Sequence, residues 1–313
     1  MLSRFIKKVV YLFIIPVLIL CIVLEYSIRR IPNDYYYKNK WLSENSGNLQ
    51  ILSLGASNGY FGINPEFFTK KAFNAAHISQ SMNYDLFIFN KFLPSFDSLQ
   101  YLILPVTEST LISSLETSDE FWRIKNYTIY YGCEYHRFEP QYHLAFYGDN
   151  LFSVLSRISG YYLHGTSELY CNKFGFGLNY SFSKKSKDWE RSGILAARRH
   201  KKESSGKLFN ENLSYINQLI EECHKKDIVV VLLITPAWHS YLDDIDIKQL
   251  ESTLLTYKHM AEENNNVRFI DMHNDKRFRE KDFFDADHLD EFGAKKLTLI
   301  LNDTLKTLGN TNP

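Results

Sequence analysis

Short apolar segments alternate with amphipathic ones along most of the chain. Apolar segments typical of buried strands lie at 51–54, 72–74, 101–104, 228–234 and 267–271. Amphipathic segments with helical spacing lie between and after them, at about 81–92, 208–224, 247–264 and 291–308. Strands that alternate with helices predict an α/β fold, a three-layer arrangement in which helices flank both faces of a parallel sheet.

The first apolar run is of a different kind. Residues 9–24 are uninterrupted apolar positions, and Arg4, Lys7 and Lys8 precede them. With its flanks the run approaches the roughly 20 residues that a membrane-spanning helix needs. No small-x-small cleavage site follows it, and bulky Leu20 precedes Cys21, which argues against a removed signal peptide or a lipoprotein. We predict a cytoplasmic tail at 1–8, a transmembrane signal anchor at 9–28, a polar linker at 29–48, and a periplasmic or extracellular domain at 49–313.

The alternating pattern breaks between about residues 115 and 207, which predicts an aromatic-rich insertion acting as a lid or docking element. Basic runs at 184–187 and 198–202 fit either a solvated face or an anionic partner. Aromatic residues make up 15% of the chain, which fits either an aromatic core or carbohydrate stacking. Cys133 and Cys171 lie in the insertion, and their pairing is left open.

Composition excludes several classes of function. The formal net charge is zero, so there is no electrostatic reason to expect a nucleic-acid partner. Four cysteines in 313 residues do not make a disulfide framework, and no Cys/His spacing fits a zinc site. We predict no metal site and no cofactor.

Two segments near the ends of the chain carry the chemistry. Ser57 follows the first strand, and Asp285 and His288 share a loop before the last helix. A serine becomes a good nucleophile when a histidine takes its proton and an acid orients that histidine. Because carboxyl ends of parallel strands share one edge, these residues can meet. A helix cap is the alternative for Ser57, and the pair Asp271 and His273 is a rival acid and base.

These residues resemble the SGNH (GDSL-like) hydrolase superfamily, whose fold is flavodoxin-like. Gly55-Ala56-Ser57 stands where that family has Gly-Asp-Ser, and Asp285-x-x-His288 stands where it has its closing block. Residues 55–65 and 72–76 are similar to a membrane-anchored branch found with bacterial surface-polysaccharide O-acyltransferases and the D-alanyl transfer protein of teichoic-acid esterification. The resemblance covers roughly 48–112 and 206–308.

The sequence departs from the family's pattern at two places. Ala56 replaces the usual Asp, and the segment after 101–104 lacks the Asn that normally helps form the oxyanion hole. The backbone N–H groups of Ser57 and of Ala75 or Ala76 remain as donors. The side chain of Thr107 or of Ser109 could replace the Asn.

Other polar residues are candidates for substrate contacts. The resemblance places Asn74 and Gln80 among the groups that line the site, where they could orient the loop, contact the acyl group or cap a helix. Trp238 and His239 follow a buried strand at the same edge. Trp238 could stack on a sugar ring and His239 could bind substrate, and a structural role is the alternative for His239.

The resemblance implies a membrane-anchored serine O-acyl(acetyl)transferase or esterase. Its substrate would be a cell-surface polysaccharide or a teichoic-acid-like polymer, and its partner an integral membrane O-acyltransferase. Transferase and hydrolase differ only in whether a sugar hydroxyl or water reaches the acyl-enzyme. A catalytically inactive scaffold that binds glycan or a membrane acyltransferase is the alternative, and an anchored α/β domain of unrelated role is a third.

Overall fold

The structure is a computed structural model that describes residues 2–201 and 206–310, without the side chains of 309 and 310. The described residues form two compact units. Residues up to 39 and 122–169 make the first unit, and residues 40–121 and those from 170 onward make the second. Parts of three predicted segments lie outside the described residues. These parts are residue 1 of the tail, Lys202 of the basic run 198–202, and residues 311–313 of the domain.

The first unit begins with one long apolar helix, α1 (Leu2–Arg29), which is long and apolar enough to cross a membrane. Pro16 has no N–H to donate, and a π-helical turn, Val10–Ile14, precedes it. The apolar amino-terminal helix predicted from the sequence is therefore present. Helices α5 (Ile124–Asn126), α6 (Pro140–His143) and α7 (Leu151–His164) complete this unit.

The predicted linker and the predicted insertion are each divided between the two units. Helix α2 (Asp34–Asn45) occupies most of the predicted linker and passes from the first unit into the second. The predicted insertion is divided, because 122–169 belong to the first unit and the described residues from 170 to 207 belong to the second. Cys133 and Cys171 are both thiols, so the disulfide left open from the sequence does not form.

The second unit contains a five-stranded sheet with the order β2-β1-β3-β4-β5, and all of its pairings are parallel. The strands are as follows: β1 (Ile51–Ser53), β2 (Ala72–Asn74), β3 (Tyr101–Val106), β4 (Val229–Ile234) and β5 (Val267–Asp271). The α/β prediction is confirmed. Continuous apolar runs indicate the strands of such a sheet, because both faces of a parallel sheet are buried.

Helices cover this sheet on both sides. They are α3 (Ser57–Gly62), α4 (Met82–Phe92), α8 (Trp189–His200), α9 (Gly206–His224), α10 (His239–Leu242), α11 (Ile247–Glu263) and α12 (Glu291–Asn310). Leu297, Leu301 and Leu305 of α12 join a core cluster with Ile103 of β3 and Val231 of β4. Since side chains alternate along a strand, the even-numbered residues of β3 and β4 face the opposite helical layer.

Candidate active site

Ser57 stands at the tip of a tight turn between β1 and α3. Gly55 has a φ of +106°, which side chains disfavour, and a Cβ there would lie 3.0 Å from the carbonyl oxygen of Pro105. A Cβ on Gly59 would lie 2.9 Å from the carbonyl oxygen of Leu54. The two glycines therefore let the strand turn sharply into the helix, and Ser57 becomes its first residue and stays partly exposed.

The acid and base come from a closed loop before α12. Phe283 and Leu289 form an antiparallel bridge, and the N–H of Phe284 donates to the carbonyl oxygen of His288 at 3.0 Å. Asp290 ends the loop, since its Oδ1 accepts from two N–H groups in the first turn of α12, each at 2.9 Å. Asp290 is therefore the N-terminal cap of α12, and this cap fixes the position of the loop's end.

The three predicted residues meet. His288 Nε2 lies 2.8 Å from Ser57 Oγ, and His288 Nδ1 lies 2.9 Å from Asp285 Oδ1. With the proton on Nδ1, the imidazole donates to Asp285 Oδ1. Nε2 then accepts a hydrogen bond from the hydroxyl of Ser57. The arrangement can move a proton from Ser57 to the imidazole while Asp285 stabilises the resulting cation.

A second carboxylate stands beside the imidazole. Asp287 is buried, and its Oδ1 lies 3.5 Å from His288 Nδ1. Burial alone would lower the pKa of His288, but the charges of Asp285 and Asp287 raise it well above its ordinary value. Burial alone would raise the pKa of Asp287, but His288 holds it below its ordinary range. The two carboxylates therefore stabilise the protonated imidazole, which is the form that a proton transfer from Ser57 would create.

The same loop offers donors of the kind that bind metals. Ligand atoms of Asp285, Asp287 and His288 lie within 4.8 Å of one another. Both nitrogens of His288, however, already have hydrogen-bond partners, Asp285 on one side and Ser57 on the other. The linear order of carboxylate, imidazole and hydroxyl fits proton transfer.

The two alanine amides suggested as oxyanion donors already donate hydrogen bonds within the protein. The N–H of Ala75 donates to the carbonyl oxygen of Ser53 at 2.8 Å, and that of Ala76 donates to Asn74 Oδ1 at 3.0 Å. Both bonds follow from the way β2 continues past its pairing with β1. The N–H of Ser57 occupies the first helical position, where no partner exists within the helix.

The side chain of Asn74 bonds to the backbone around the serine turn. Its side chain is fully buried, and its Nδ2 donates to the carbonyl oxygens of Gly59 and Ile63 at 2.8 and 2.7 Å. With the bond to the Ala76 N–H, one side chain joins both ends of α3 to the loop after β2. Of the roles that the sequence left open for Asn74, the loop-orienting one is what these contacts provide.

Gln80 acts through a residue that the sequence did not single out. Its Nε2 donates to Asp85 Oδ1 at 2.6 Å, and the N–H of Gly55 donates to the same oxygen at 2.7 Å. Asp85 is buried in the first turn of α4. Burial raises the pKa of Asp85 to about 7, although the bonds from Gln80 and Gly55 lower it. This pair anchors the turn two residues before Ser57.

Thr107 and Ser109 form a local turn after β3. Thr107 Oγ1 lies 3.0 Å from Ser109 Oγ and 3.2 Å from Thr110 Oγ1, and the N–H of Thr107 donates to Thr110 Oγ1 at 2.8 Å. Both hydroxyls thus have partners within the turn. These contacts cap the strand and give neither side chain a visible role at Ser57.

Trp238 supports the loop that carries His288 with its backbone, because its N–H donates to the carbonyl oxygen of Ala286 at 2.7 Å. Its ring packs against Trp189 and Phe283, at centroid distances of 5.4 and 5.5 Å, which leaves it partly buried. His239 is exposed and lies 4.0 Å from a carboxylate oxygen of Glu190. The packing favours a structural role for Trp238 over sugar stacking.

The rival acid and base do not form a pair. Asp271 accepts from the backbone N–H of His273 at 2.9 Å, and no hydrogen bond joins its carboxylate to the imidazole. His273 Nε2 is buried without a partner among the described residues, and burial lowers the pKa of its imidazole.

An aromatic stack from the insertion covers the base. The ring of Tyr180 stacks on Phe61 at 3.8 Å and on Phe284 at 4.1 Å, and it meets the imidazole of His288 edge-on at 5.2 Å. Burial raises the pKa of the Tyr180 phenol. The stack excludes water from one side of His288, and nothing in the sequence distinguished Tyr180 from the other 20 tyrosines.

The glycine-rich segment 171–178 brings Tyr180 to this place. Gly175 has a φ of +84°, and a Cβ there would lie 2.0 Å from the carbonyl oxygen of Asn74. A Cβ on Gly177 would lie 2.3 Å from a ring carbon of Tyr60. The segment therefore presses its backbone against the end of β2 and against α3, which explains its glycines.

A buried carboxylate ties α8 to the same edge of the sheet. Glu108, after β3, accepts a short hydrogen bond from the hydroxyl of Tyr241, and His200 Nδ1 lies 2.8 Å from that hydroxyl. Burial alone would raise the pKa of Glu108, but bonds from His200 and Tyr241 lower it. Gln249 adds a bond to the carbonyl oxygen of His200 at 3.1 Å. The end of α8 is thus held by side chains from three other segments.

Comparisons with known proteins identify no family. No protein family model matches the chain, and no curated protein is significantly similar to it. Among solved structures, one match is a Streptococcus pneumonia protein named in connection with platelet activating factor. The identity is 11% and the TM-score 0.44, with 94% of this chain and 99% of the other covered. At that TM-score the fold assignment rests on the strand order described above.

Proposed function

We propose that this protein is a membrane-anchored serine enzyme that transfers or hydrolyses an acyl ester of a cell-surface polysaccharide. The observation that carries the chemistry is the chain of two contacts, Ser57 Oγ to His288 Nε2 at 2.8 Å and His288 Nδ1 to Asp285 Oδ1 at 2.9 Å. The apolar helix α1 supports the anchor. The polysaccharide substrate and the integral membrane acyltransferase partner rest on the resemblance to the SGNH branch.

The proposed reaction has two halves. Ser57 Oγ attacks the carbonyl carbon of the acyl donor while His288 Nε2 takes the hydroxyl proton, and an oxyanion forms on the carbonyl oxygen. The N–H of Ser57 is the donor that we assign to that oxyanion. The intermediate collapses when the bond to the leaving oxygen breaks and His288 returns the proton to it. An acyl-enzyme on Ser57 remains.

The second half-reaction decides between transfer and hydrolysis. An acceptor hydroxyl, from a sugar or from water, gives its proton to His288 and attacks the acyl-enzyme, and Ser57 leaves with a proton from His288. Asp285 holds the imidazole through both halves. The aromatic stack on Tyr180 covers one side of His288, so either acceptor would approach from the uncovered side.

Labelling of the full-length protein in detergent with a fluorophosphonate probe tests the activated serine. Wild type should be labelled, and Ser57→Ala and His288→Ala should not, because each removes one partner of the 2.8 Å contact. Ser109→Ala is the matched control, a serine at the same edge whose hydroxyl bonds to Thr107. Labelling that survives in Ser57→Ala would refute the proposed nucleophile.

The inactive scaffold is the second candidate, and one observation favours it. Both Ala75 and Ala76 N–H groups already donate within the protein, so a complete oxyanion hole is not preformed. A folded wild-type protein that resists the probe, with the thermal stability of Ser57→Ala unchanged, would support a scaffold that binds glycan or a membrane acyltransferase.

A further inference from the structure

Helix α7 of the first unit exposes an apolar stripe. Its five large exposed apolar residues, with their exposed fractions, are Leu151 (57%), Phe152 (83%), Leu155 (48%), Tyr162 (50%) and Leu163 (75%). At helical spacing these positions cover about a third of the helix circumference on one side. Contiguous apolar surface of this kind is unusual on a protein that meets only water.

The side of α7 that adjoins this stripe packs on the carboxyl-terminal end of the apolar helix α1. Val154 is buried in one cluster with Leu24 and Ile28 of α1. Tyr162 of the stripe itself donates from its hydroxyl to the carbonyl oxygen of Ser27 at 3.4 Å. The stripe is therefore adjacent to the end of α1.

The end of α1 is where a bilayer surface would lie. Large apolar side chains from Tyr11 to Val23 are exposed, and burial against the protein begins at Leu24. At 1.5 Å per residue, 28 residues span about 42 Å, more than the roughly 30 Å of a hydrocarbon core. Arg29 and Arg30 follow directly, and the guanidinium of Arg30 lies 4.4 Å from the ring centre of Tyr26, a pairing suited to the headgroup region.

We infer that α7 lies in the interface of the membrane that α1 crosses, with its apolar stripe in the boundary between headgroups and acyl chains. This inference rests on the membrane anchoring in the proposed function. Polar residues flank the stripe, among them Ser153, Ser156 and Arg157. Such a polar flank beside an apolar face is the pattern of an interfacial helix.

Lipid fits this stripe better than a protein partner does. The stripe is the exposed side of a single helix, which is a convex surface. Lipid chains conform to a convex surface, whereas a stable protein interface needs complementary shape over a large area. The consequence is a second membrane contact, which restricts the tilt of the first unit about α1.

Spin labelling of the full-length protein in phosphatidylcholine/phosphatidylglycerol nanodiscs tests this placement. Phe152→Cys and Leu163→Cys are made in a Cys21→Ser background, because the other three cysteines are buried. Ser153→Cys is the matched control, because helical spacing places it about 80° beyond the edge of the stripe, and the serine is partly exposed. Labels at 152 and 163 should collide several-fold more often with lipid-soluble oxygen than with an aqueous nickel chelate, and the label at 153 should show the reverse.

Two outcomes overturn the inference. Labels at Phe152 and Leu163 that match the Ser153 label place the stripe in water. Labels shielded from both reagents place it against protein. A label at Leu18, in the middle of α1, separates this result from failure of the anchor, because only a failed anchor would expose Leu18 to the nickel chelate.

Discussion

The buried carboxylate of Asp85 should make the stability of the second unit depend on pH. Asp85 is 1% exposed, and its Oδ1 accepts from the Gly55 N–H and from Gln80. Burial raises its pKa from 3.8 to about 7. The perturbation is Asp85→Asn, which keeps an oxygen that can accept from Gly55 and removes the group that titrates.

The size and sign of the effect follow from proton linkage. The folded-state pKa is raised, so the stabilisation from Asp85 is complete below its unfolded pKa and is lost as pH rises through about 7. Each pKa unit corresponds to about 1.4 kcal/mol, so a difference of about three units amounts to about 4 kcal/mol at most. The free energy of unfolding of Asp85→Asn relative to wild type should therefore increase between pH 4 and pH 7 and level off above that.

The assay is urea unfolding of the full-length protein in detergent between pH 4 and pH 8, followed by tryptophan fluorescence. Asp85→Ala is the matched control, since it removes both the charge and the acceptor. It should show the same pH dependence as Asp85→Asn but lower stability at every pH, by about 1–3 kcal/mol, because the Gly55 N–H loses its partner. A difference between wild type and Asp85→Asn that stays constant from pH 4 to pH 7 would refute the reasoning.

Three further predictions test the site and its supports. The rate of fluorophosphonate labelling should rise with pH through a midpoint above 6.5, the ordinary pKa of histidine, because His288 must be neutral to accept a proton and Asp287 helps raise its pKa. Asp287→Asn should therefore lower the pH of that midpoint. A midpoint that does not change would contradict this prediction. Gly177→Ala should lower the melting temperature by several degrees in a thermal scan, since its Cβ would lie 2.3 Å from a tyrosine ring carbon; an unchanged melting temperature contradicts this. Tyr241→Phe should cost about 1–3 kcal/mol in urea unfolding, because buried Glu108 loses a donor; wild-type stability would show that water replaces the hydroxyl.

The strands and the triad were predictable from the sequence for related reasons. A parallel sheet is buried on both faces, so its strands are runs of apolar residues, and the predicted 267–271 strand matches the structure at both ends. Carboxyl ends of such strands share one edge, which allows Ser57 and His288, 231 positions apart, to be placed together.

The supporting residues were not predictable because their environment is set by packing. Asp85 lies in the first turn of an amphipathic helix, where an acidic residue ordinarily faces water and the helix dipole. It is buried because the turn at Gly55 stands against that helix. Tyr180 lies in a segment without helical or strand periodicity, so no pattern indicates which ring would reach His288. Glu108 follows a strand and gains its partners from α8 and α10.

Ala75 and Ala76 show where reasoning from spacing stops. Their place after β2 correctly puts them near the serine turn, but an N–H can serve an oxyanion only if nothing else accepts from it. Ser53 and Asn74 both accept here. Which acceptor an amide meets depends on the dihedral angles of one or two residues, and a motif does not encode these.

The positions of Ser57 and His288 depend on contacts between the segments that carry them. Asn58 Nδ2 donates to the carbonyl oxygen of Asp287 at 2.9 Å. The N–H of Trp238 donates to the carbonyl oxygen of Ala286 at 2.7 Å. These two bonds hold the loop of His288 to the serine helix and to the segment after β4. Because proton transfer from Ser57 needs hydrogen-bond distance, these contacts determine whether a correct set of residues can act. A chain can therefore keep its serine, histidine and aspartate and still lose activity when one of these supporting contacts is lost.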